Sequence, residues 1–283
     1  MDKFFVITNE KRDRDSERAI QIRDYLLSRQ KSCDYVAIER DSADTSEEIQ
    51  RIRALSDDTD AVIVLGGDGT FIQSAGILAP KKIPMIGVNL GHLGYLAEVD
   101  KENITSALEK LINDDFEIEE RMMISGTLVI KNTDHGEHFA VNDIVLKTTG
   151  SSVLSYRIEV NGTYLTTISA DGIIASTPTG STAYNMSAGG PIVEPGTSMI
   201  VLTPICPLEA VSRSVVLSGD DTIVIRVINS SSRQGRTSGV YFDGTGEYML
   251  SNNDEVIIRS AKDRMRLIKL SKESFLEVLS RKM

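Results

Sequence analysis

The feature that most constrains the fold of this chain is a fully apolar run that leads into a cluster of glycines. Residues 61–65 read Ala-Val-Ile-Val-Leu, and they are followed directly by Gly66-Gly67-Asp68-Gly69-Thr70, called here the glycine turn. A strand without polar residues is typical of a parallel sheet that is covered on both faces. The glycines permit a sharp turn and a close approach of the backbone to a ligand. Residues 71–79 are predicted to form the next helix, with Thr70 as its cap.

The first 120 residues alternate between predicted strands and helices. Strands are predicted at residues 4–8, 35–39, 61–65 and 85–88. A helix is predicted at residues 16–30, with Ala19, Ile22 and Leu26 on one face. A second helix is predicted to begin at Thr45-Ser46-Glu47-Glu48, which has the spacing of a capping box. This alternation predicts an α/β domain with a parallel sheet over residues 1–120.

The sequence after residue 120 is rich in predicted strands. Alternating, β-branched segments predict strands at residues 127–131, 222–228, 255–259 and 265–270. Asn161-Gly162 separates strands predicted at residues 155–160 and 163–168, and this dipeptide strongly indicates a hairpin. A closing helix is predicted at residues 271–280, packing back on the first domain. We therefore expect a β-rich second domain over residues 121–270, with residues 271–283 returning to the first domain.

Composition and charge argue against several classes of function. The 283 residues include 41 acidic and 31 basic ones, which give a net charge of −10, and no basic run appears. A nucleic-acid or anionic-membrane partner is therefore not expected. Because the overall charge repels polyphosphates, a phosphate site would depend on local N–H groups, helix N-termini or a metal ion. Cys33 and Cys206 fit neither a disulfide framework nor a zinc site. With no signal peptide or membrane-spanning run recognised, a cytoplasmic protein is expected.

The carboxylate at the centre of the glycine turn points to chemistry on phosphates. Asp68 would repel a phosphate unless it held Mg²⁺ or accepted a proton from an attacking hydroxyl. The alternative is a turn residue that hydrogen-bonds its own backbone. We favour the functional interpretation, because ligands of open α/β sheets lie at the carboxyl ends of strands. The residues alone leave the substrate of Asp68 open.

Three shorter segments are candidates for ligand contacts or turns. A second glycine-rich turn at residues 89–95 is predicted to flank the same crevice, with His92 as a structural loop residue. Asn142 and Asp143 fall within a strand predicted at residues 139–147. Neighbouring side chains of a strand point to opposite faces, so one of the two can face a ligand. Residues 242–245, Phe-Asp-Gly-Thr, are interpreted as a turn.

Residues 171–185, called here the polar segment, are the densest stretch of small polar residues in the chain. Five of the 7 prolines lie between Pro178 and Pro207, and they restrict this backbone. Hydroxyls, amides and one aromatic ring suit adenine or nicotinamide, which offer polar edges and a flat face. The alternative is a connecting loop between strands, which the near-absence of charge makes the weaker interpretation.

These motifs, in this order, resemble the NAD kinase family over nearly the whole chain. The resemblance rests on the glycine turn, residues 87–94, the pair Asn142-Asp143 and the polar segment. The glycine turn alone is shared with diacylglycerol and sphingoid kinases and, in looser form, with phosphofructokinases. The run at residues 176–185, Ser-Thr-Pro-Thr-Gly-Ser-Thr-Ala-Tyr-Asn, is far more specific. The two motifs together identify the family.

The resemblance implies two domains with NAD bound in the cleft between them. It further implies ATP with Mg²⁺ as the phosphoryl donor, and a homodimer or homotetramer. Asp68 would be the general base on the 2′-hydroxyl of the adenosine ribose, and Asp143 would bind ribose hydroxyls. The adenine would be surrounded by Asn142, Thr179, Thr182 and Ala183, and the nicotinamide end by Asp171 and Tyr184. Further ligand-binding positions would be Gly66, Gly67, Gly69, Thr70, Gln73, Asn185, Ser187 and Thr245.

The implied reaction transfers the γ-phosphoryl group of ATP to NAD and gives NADP. Two alternatives are a lipid kinase that shares the glycine turn and a non-catalytic dinucleotide-binding sensor. The acidic chain gives no support to a membrane-facing lipid kinase, and a sensor would have no need of Asp68. The sequence departs from the family at Gln73, where a basic residue is common, and at Thr245, where Gln is frequent.

Overall fold

The computed structural model describes residues 1–39, 46–91, 94–150, 153–209, 212–228, 237–271 and 273–282. The chain divides into two compact units. The first unit is Met1–Arg121 together with Asp263–Met283, and the second is Met122–Lys262. Thr45, predicted to open a capping box, and His92, predicted to be a loop residue, lie outside the described residues.

The first unit begins with the predicted alternation of strands and helices. Up to residue 121 its elements are β1 Lys3–Asn9, α1 Glu17–Ser28, β2 Ser32–Ile38, α2 Glu47–Arg53, β3 Ala61–Gly66, α3 Asp68–Leu78, β4 Met85–Asn89, β5 Ala97–Asp100, α4 Ile104–Ile112 and β6 Glu117–Arg121. Helix α1 buries Ala19, Ile22 and Leu26, the face that the sequence predicts. Ser46 is the N-cap of α2, and its side chain accepts a hydrogen bond from the Ile49 N–H.

The second unit consists of two antiparallel sheets. Its elements are β7 Ile124–Ile130, β8 Thr133–Ala140, β9 Asp143–Thr148, β10 Leu154–Val160, β11 Thr163–Ala170, β12 Gly172–Ser176, α5 Tyr184–Ser187, β13 Met199–Ile205, β14 Val215–Ser218, β15 Ile223–Ile228, β16 Ser238–Phe242, β17 Thr245–Leu250 and β18 Glu255–Ser260. One sheet has the order β11-β10-β15-β18-β7-β8, and the other has the order β14-β13-β12-β9-β16-β17.

A single apolar core takes alternate residues from both sheets of the second unit. Ile144 and Leu146 of β9 belong to this core, as do Tyr156 and Ile158 of β10. Successive strand residues point to opposite faces of a sheet. The alternate residues in the core therefore lie on one face of each sheet, and these two faces pack against each other. The predicted hairpin at Asn161-Gly162 is confirmed: both residues have positive φ, 51° and 75°, as a two-residue type I′ turn requires.

The chain returns to the first unit after residue 262, through β19 Met265–Lys269 and α6 Phe275–Lys282. The sequence assigned residues 265–270 to the second domain, but β19 lies between β4 and β6 in the first sheet. It runs parallel to β4 and antiparallel to β6. An alternating pattern shows that a segment is a strand without showing which sheet it joins, which explains the difference.

Contacts within the first unit hold the returning segment. The Glu98 carboxylate accepts hydrogen bonds from the N–H groups of Leu270 and Ser271, at 3.1 and 2.8 Å. The Lys282 ammonium lies 4.2 Å from the centre of the Tyr95 ring, a cation–π contact. The predicted fold class is therefore confirmed, with an α/β unit, a β-rich unit and a closing helix on the first.

The sheet of the first unit has the order β2-β1-β3-β4-β19-β6, with β5 paired to β4. Strands β1, β2, β3, β4 and β5 pair in parallel. Every residue of β3 is buried, as the apolar run at residues 61–65 predicts. None of the helices in the described part of the chain combines the length and apolarity that crossing a membrane requires.

Candidate functional site

The glycine turn lies at the carboxyl ends of three adjacent parallel strands. Asn9 ends β1, Gly66 ends β3 and Asn89 ends β4. The second glycine-rich turn flanks the same place, as predicted, because the Leu90 N–H approaches the Gly66 carbonyl at 3.4 Å. The Asn89 side chain fixes that second turn by bonding both the N–H and the carbonyl of Gly91. This edge is where open α/β sheets bind ligands.

Helix α3 begins within the glycine turn rather than after it. Its first residue is Asp68 and its N-cap is Gly67, so the prediction of Thr70 as the cap was wrong. The Thr70 hydroxyl instead accepts a hydrogen bond from the Asn9 side-chain amide at 3.2 Å. Among the described residues, no acceptor is bonded to the N–H groups of Asp68 and Gly69. Free N–H groups at a helix N-terminus attract anions.

The Asp68 carboxylate is held in one orientation by backbone N–H groups. Its Oδ2 accepts the Tyr95 N–H at 2.8 Å, and its Oδ1 accepts the Leu96 N–H at 3.2 Å. A Cβ atom at Gly94 would overlap this carboxylate, so glycine is required there. A carboxylate offers about four lone-pair sites, which leaves capacity for a proton or a cation.

Gln73 lies one turn further along α3, on the same unit. Its side-chain oxygen is buried and has no hydrogen-bond donor among the described residues. Because an unpartnered buried oxygen is costly, a ligand donor at this position would be favourable. Gly66, Gly67, Gly69, Thr70 and Gln73, all predicted from the sequence, therefore lie together with Asp68 on the first unit.

In the second unit, the strand predicted at residues 139–147 is interrupted. Strand β8 ends at Ala140 and β9 begins at Asp143, so Asn142 lies between strands and the argument from opposite strand faces was wrong. The cause is the carboxylate of Asp243, which accepts the N–H groups of Val141, Asn142 and Asp143 at 2.7, 2.7 and 3.1 Å. Three N–H groups that converge on one carboxylate cannot also pair in a ladder.

Asp143 and Asp243 form a pair of aspartates with raised pKa values, called here the carboxylate pair. Burial, and then the negative charge of Asp243, raise the pKa of Asp143 to about 7. Burial also raises the pKa of Asp243 to about 6, against the opposing effect of its three N–H donors. Asp143 is 5% exposed, and within the described residues nothing donates a hydrogen bond to its carboxylate. It is therefore available to a hydroxyl donor.

Sequence reasoning missed Asp243. Residues 242–245 do form the predicted turn, since Asp243 and Gly244 have φ values of 52° and 75°. Nothing in a Phe-Asp-Gly turn shows that its carboxylate holds a segment 100 residues earlier. Only the fold shows that Asp243 lies beside Asn142 and Asp143. The sequence alone therefore contained no signal that could have identified it.

The polar segment is built of regular structure and is not a connecting loop. It begins with the buried strand β12, which pairs with β9 and β13, and continues through a 3₁₀ turn at Thr179–Thr182 into α5. The Thr177 hydroxyl donates to the Val141 carbonyl at 2.6 Å, and the Thr177 N–H donates to the Asn142 carbonyl at 2.8 Å. A Cβ atom at Gly180 would overlap the Asn142 backbone. These contacts bring Asn142 against the 3₁₀ turn.

The residues predicted to contact NAD in the second unit differ in what they can offer. The Thr179 hydroxyl is buried without a partner among the described residues, and the Asn142 side-chain amide makes no hydrogen bond with them. Asp171, Thr182 and Ala183 are half-buried, and Tyr184, Ser187 and Thr245 are exposed. The Thr245 hydroxyl donates to the Phe242 carbonyl, and so serves the turn that carries Asp243.

Asn185 was predicted as a ligand-binding residue, but its side chain is used inside the protein. It is fully buried. Its Nδ2 donates to the carbonyls of Ser181 and Pro191 at 3.0 and 2.9 Å, and its Oδ1 accepts the Thr203 hydroxyl at 2.6 Å. The amide is satisfied by these three bonds, so Asn185 positions the polar segment without offering a free group to a ligand.

Comparisons with known proteins agree with this arrangement. The family described as ATP-NAD kinase N-terminal domain matches residues 4–116, and that described as ATP-NAD kinase C-terminal domain matches residues 141–270. The chain is 38% identical to the NAD kinase of Lachnospira eligens over 294 residues, covering 100% of both proteins. It is 42% identical to that of Heliobacterium modesticaldum over 226 residues, covering 79% of this chain and 78% of the relative.

Two solved structures share the fold. Yeast NADH kinase complexed with NADH superposes with a TM-score of 0.84 at 23% identity, covering 99% of this chain and 88% of that one. An NAD kinase from Archaeoglobus fulgidus in complex with ATP superposes with a TM-score of 0.75 at 22% identity, covering 99% and 98%.

Proposed function

We propose that this chain, which belongs to the NAD kinase family, transfers the γ-phosphoryl group of ATP to the 2′-hydroxyl of the adenosine ribose of NAD. The family is shown by the full-length relatives at 38% identity and by the two domain matches. The observation that carries the proposal is the Asp68 carboxylate, held by two N–H groups at the end of a buried parallel strand.

Asp68 is the general base in the proposed reaction. It accepts the proton of the 2′-hydroxyl as that oxygen attacks the γ-phosphorus of ATP. The bond from the γ-phosphorus to the β,γ-bridging oxygen breaks, ADP leaves, and the proton passes from Asp68 to water. Phosphoryl transfer depends mainly on positioning and on stabilising charge, and the bonds to Tyr95 and Leu96 supply the positioning of the base.

The phosphates of ATP bind at the glycine turn in this proposal. The free N–H groups of Asp68 and Gly69 at the start of α3 donate to phosphate oxygens. Among the described residues, no cluster of three or more His, Cys, Asp or Glu side chains is arranged to hold a metal ion. Mg²⁺ is usually held by substrate phosphates and one or two carboxylates. The phosphates of ATP would hold the ion, which would neutralise part of their charge, and Asp68 keeps its role as the base.

The second unit recognises NAD in this proposal. Asp143 accepts ribose hydroxyls, which is supported by a buried carboxylate to which no described residue donates a hydrogen bond. Asn142 and Thr179 read the adenine edge, which is supported by an amide and a hydroxyl that have no partner among the described residues. Thr182 and Ala183 line the adenine, and Asp171 and Tyr184 lie towards the nicotinamide. Ser187 and Thr245 are exposed and make peripheral contacts at most.

Three further properties belong to the proposal. The active form is a homodimer or homotetramer, which size-exclusion chromatography with light scattering tests. Mg²⁺ or another divalent ion is required, which addition of EDTA tests. The enzyme acts in the cytoplasm, which agrees with two cysteines that are both free in the described residues and is tested by cell fractionation.

The decisive experiment measures NADP. Purified protein is incubated with NAD, ATP and Mg²⁺, and NADP is detected through an NADP-specific dehydrogenase. The proposal expects NADP to form in proportion to enzyme and time. A folded sample that binds NAD but makes no NADP would contradict it and favour a sensor, whereas transfer of phosphate to a lipid alone would favour a lipid kinase.

A further inference from the structure

The loop that follows β1 is fixed beside the glycine turn. The N–H groups of Arg12 and Asp13 both donate to the carbonyl of Asn9, at 3.0 and 2.9 Å, and the Asn9 amide donates to Thr70. The buried Asp13 carboxylate accepts the Thr8 hydroxyl at 2.8 Å, and also the N–H groups of Arg18 and Ala19 at the start of α1. These bonds fix the conformation of the loop and the backbone position from which the Arg12 side chain extends.

The Arg12 guanidinium lies against the backbones of both glycine-rich turns. A Cβ atom built on Gly91 would be 2.8 Å from Arg12 Nη1, and one built on Gly67 would be 3.3 Å from the same atom. A side chain at Gly91 would therefore displace the guanidinium, and one at Gly67 would crowd it. Within the described residues, the guanidinium forms no hydrogen bond or ion pair. Its five N–H donors are thus available at the edge where Asp68 and the free N–H groups of α3 lie.

We propose that Arg12 binds the triphosphate of the donor ATP at the glycine turn. This inference rests on the proposed function, because it assigns a contact for the substrate of that reaction. A chain with a net charge of −10 repels ATP at long range, so a local cation is needed beside the turn. The planar guanidinium matches two oxygens of a phosphate at once. The glycine turn itself contains a carboxylate and no cation, and Gln73 is neutral.

The first test compares Arg12→Ala with Arg14→Ala. Arg14 is exposed and lies in the same loop, so its variant controls for loss of charge from that loop. We expect Arg12→Ala to raise the KM for ATP by roughly 10- to 100-fold, the size of a lost charged hydrogen bond. The KM for NAD should stay within about twofold. Arg12→Lys should recover part of the lost affinity for ATP, because lysine keeps the positive charge but lacks the planar pair of N–H donors.

A second variant separates binding by Arg12 from a structural role. Gly91→Ala places a methyl group 2.8 Å from Nη1, which is too close, and so moves the guanidinium while keeping Arg12. It should raise the KM for ATP in the same direction as Arg12→Ala. Adding it to Arg12→Ala should produce little further change, because two variants that remove one contact are not additive. Additive effects would overturn the inference.

Inorganic tripolyphosphate supplies a binding readout that is independent of turnover. As a competitor of ATP, it should show an inhibition constant that rises in Arg12→Ala in parallel with the KM, and that is unchanged in Arg14→Ala. If Arg12→Ala keeps the same KM and inhibition constant as Arg14→Ala while the wild type makes NADP, the inference about Arg12 is wrong and the proposed function stands. If the wild type makes no NADP, the proposed function fails.

Discussion

Both units place aspartates beside glycine-containing turns, but the surroundings of those aspartates differ. Asp68 in the first unit stands in the first turn of α3 and accepts two N–H groups, with lone pairs left for another partner. Asp143 and Asp243 in the second unit are brought together by burial and by the backbone of residues 141–143. The first arrangement orients a carboxylate, and the second buries two carboxylates and raises their pKa values.

This difference assigns different kinds of work to the same residue type. Two backbone N–H groups orient the Asp68 carboxylate, which a base for a hydroxyl proton needs. Burial raises the pKa values of both members of the carboxylate pair, and the charge of Asp243 raises that of Asp143 further. Substitution should therefore affect mainly the reaction in the first unit, and mainly stability and its pH dependence in the second.

The largest effect is expected for Asp68→Asn. Activity should fall by about 10²- to 10⁴-fold, the usual value of general-base catalysis, because the amide cannot accept the hydroxyl proton. The amide oxygen still accepts one backbone N–H, but the amide NH2 group faces the other, so we expect a folded protein whose melting temperature is lower by several degrees. NADP formation and thermal unfolding are the measurements, with the exposed Asp115→Asn as control. If Asp68→Asn lost stability but kept near-normal turnover, Asp68 would be a structural aspartate like Asp243.

The next effect is expected for Asp243→Ala. The substitution leaves three N–H groups without their acceptor, and we expect the free energy of unfolding to fall by roughly 3 kcal/mol or more. Urea unfolding measures this, with Asp220→Ala as an exposed control in the same unit. Unchanged stability would show that residues 141–143 do not depend on this carboxylate.

A pH-dependent effect is expected for Asp143→Asn. Because folding raises both pKa values from 3.8 to about 7 and 6, the pair stabilises the fold most below pH 3.8, where both aspartates are protonated in either state. That contribution is lost progressively as pH rises above 3.8, and it is gone above the folded pKa values of about 6 and 7. In Asp143→Asn, the free energy of unfolding should decline less steeply with pH. At pH 8 this variant should unfold at a higher urea concentration than the wild type. Urea unfolding from pH 4.5 to 8 measures it; an unchanged slope would contradict the raised pKa of Asp143.

The smallest effect is expected for Thr179→Val. The hydroxyl has no partner among the described residues, so stability should stay within about 0.5 kcal/mol. The KM for NAD should rise by about two- to tenfold if the hydroxyl bonds the ligand, and Thr179→Ser should restore it. Thr177→Val is the matched contrast, since it removes the bond to the Val141 carbonyl and a bond from the Gly180 N–H and should destabilise. Equal KM values for Thr179→Val and wild type would remove Thr179 from the adenine site.

Much of the fold could be predicted because its signals are local. The buried β3, the amphipathic α1 and the hairpin at Asn161-Gly162 are each specified by residues that are neighbours in the sequence. The same is true of the glycine turn and of Asp68, since a turn after an apolar strand fixes its place at the sheet edge.

The features that the sequence could not show depend on partners distant in sequence. The break between β8 and β9 is caused by Asp243, and the placement of β19 depends on β6, which precedes the whole second unit. Asn185 has the polarity of a ligand contact, and only the positions of Ser181, Pro191 and Thr203 show that its amide is already used. Arg12 belongs to no motif, and its role emerges only from its distance to Gly67 and Gly91.

The position of β19 has a consequence for synthesis on the ribosome. Strands β4 and β6 emerge early, but the strand that lies between them is made only after the second unit. The sheet of the first unit is therefore incomplete until residues 265–269 have been synthesised. The first unit is completed only when β19 inserts between two strands that were synthesised earlier. The unit whose synthesis begins first is therefore the last to be completed.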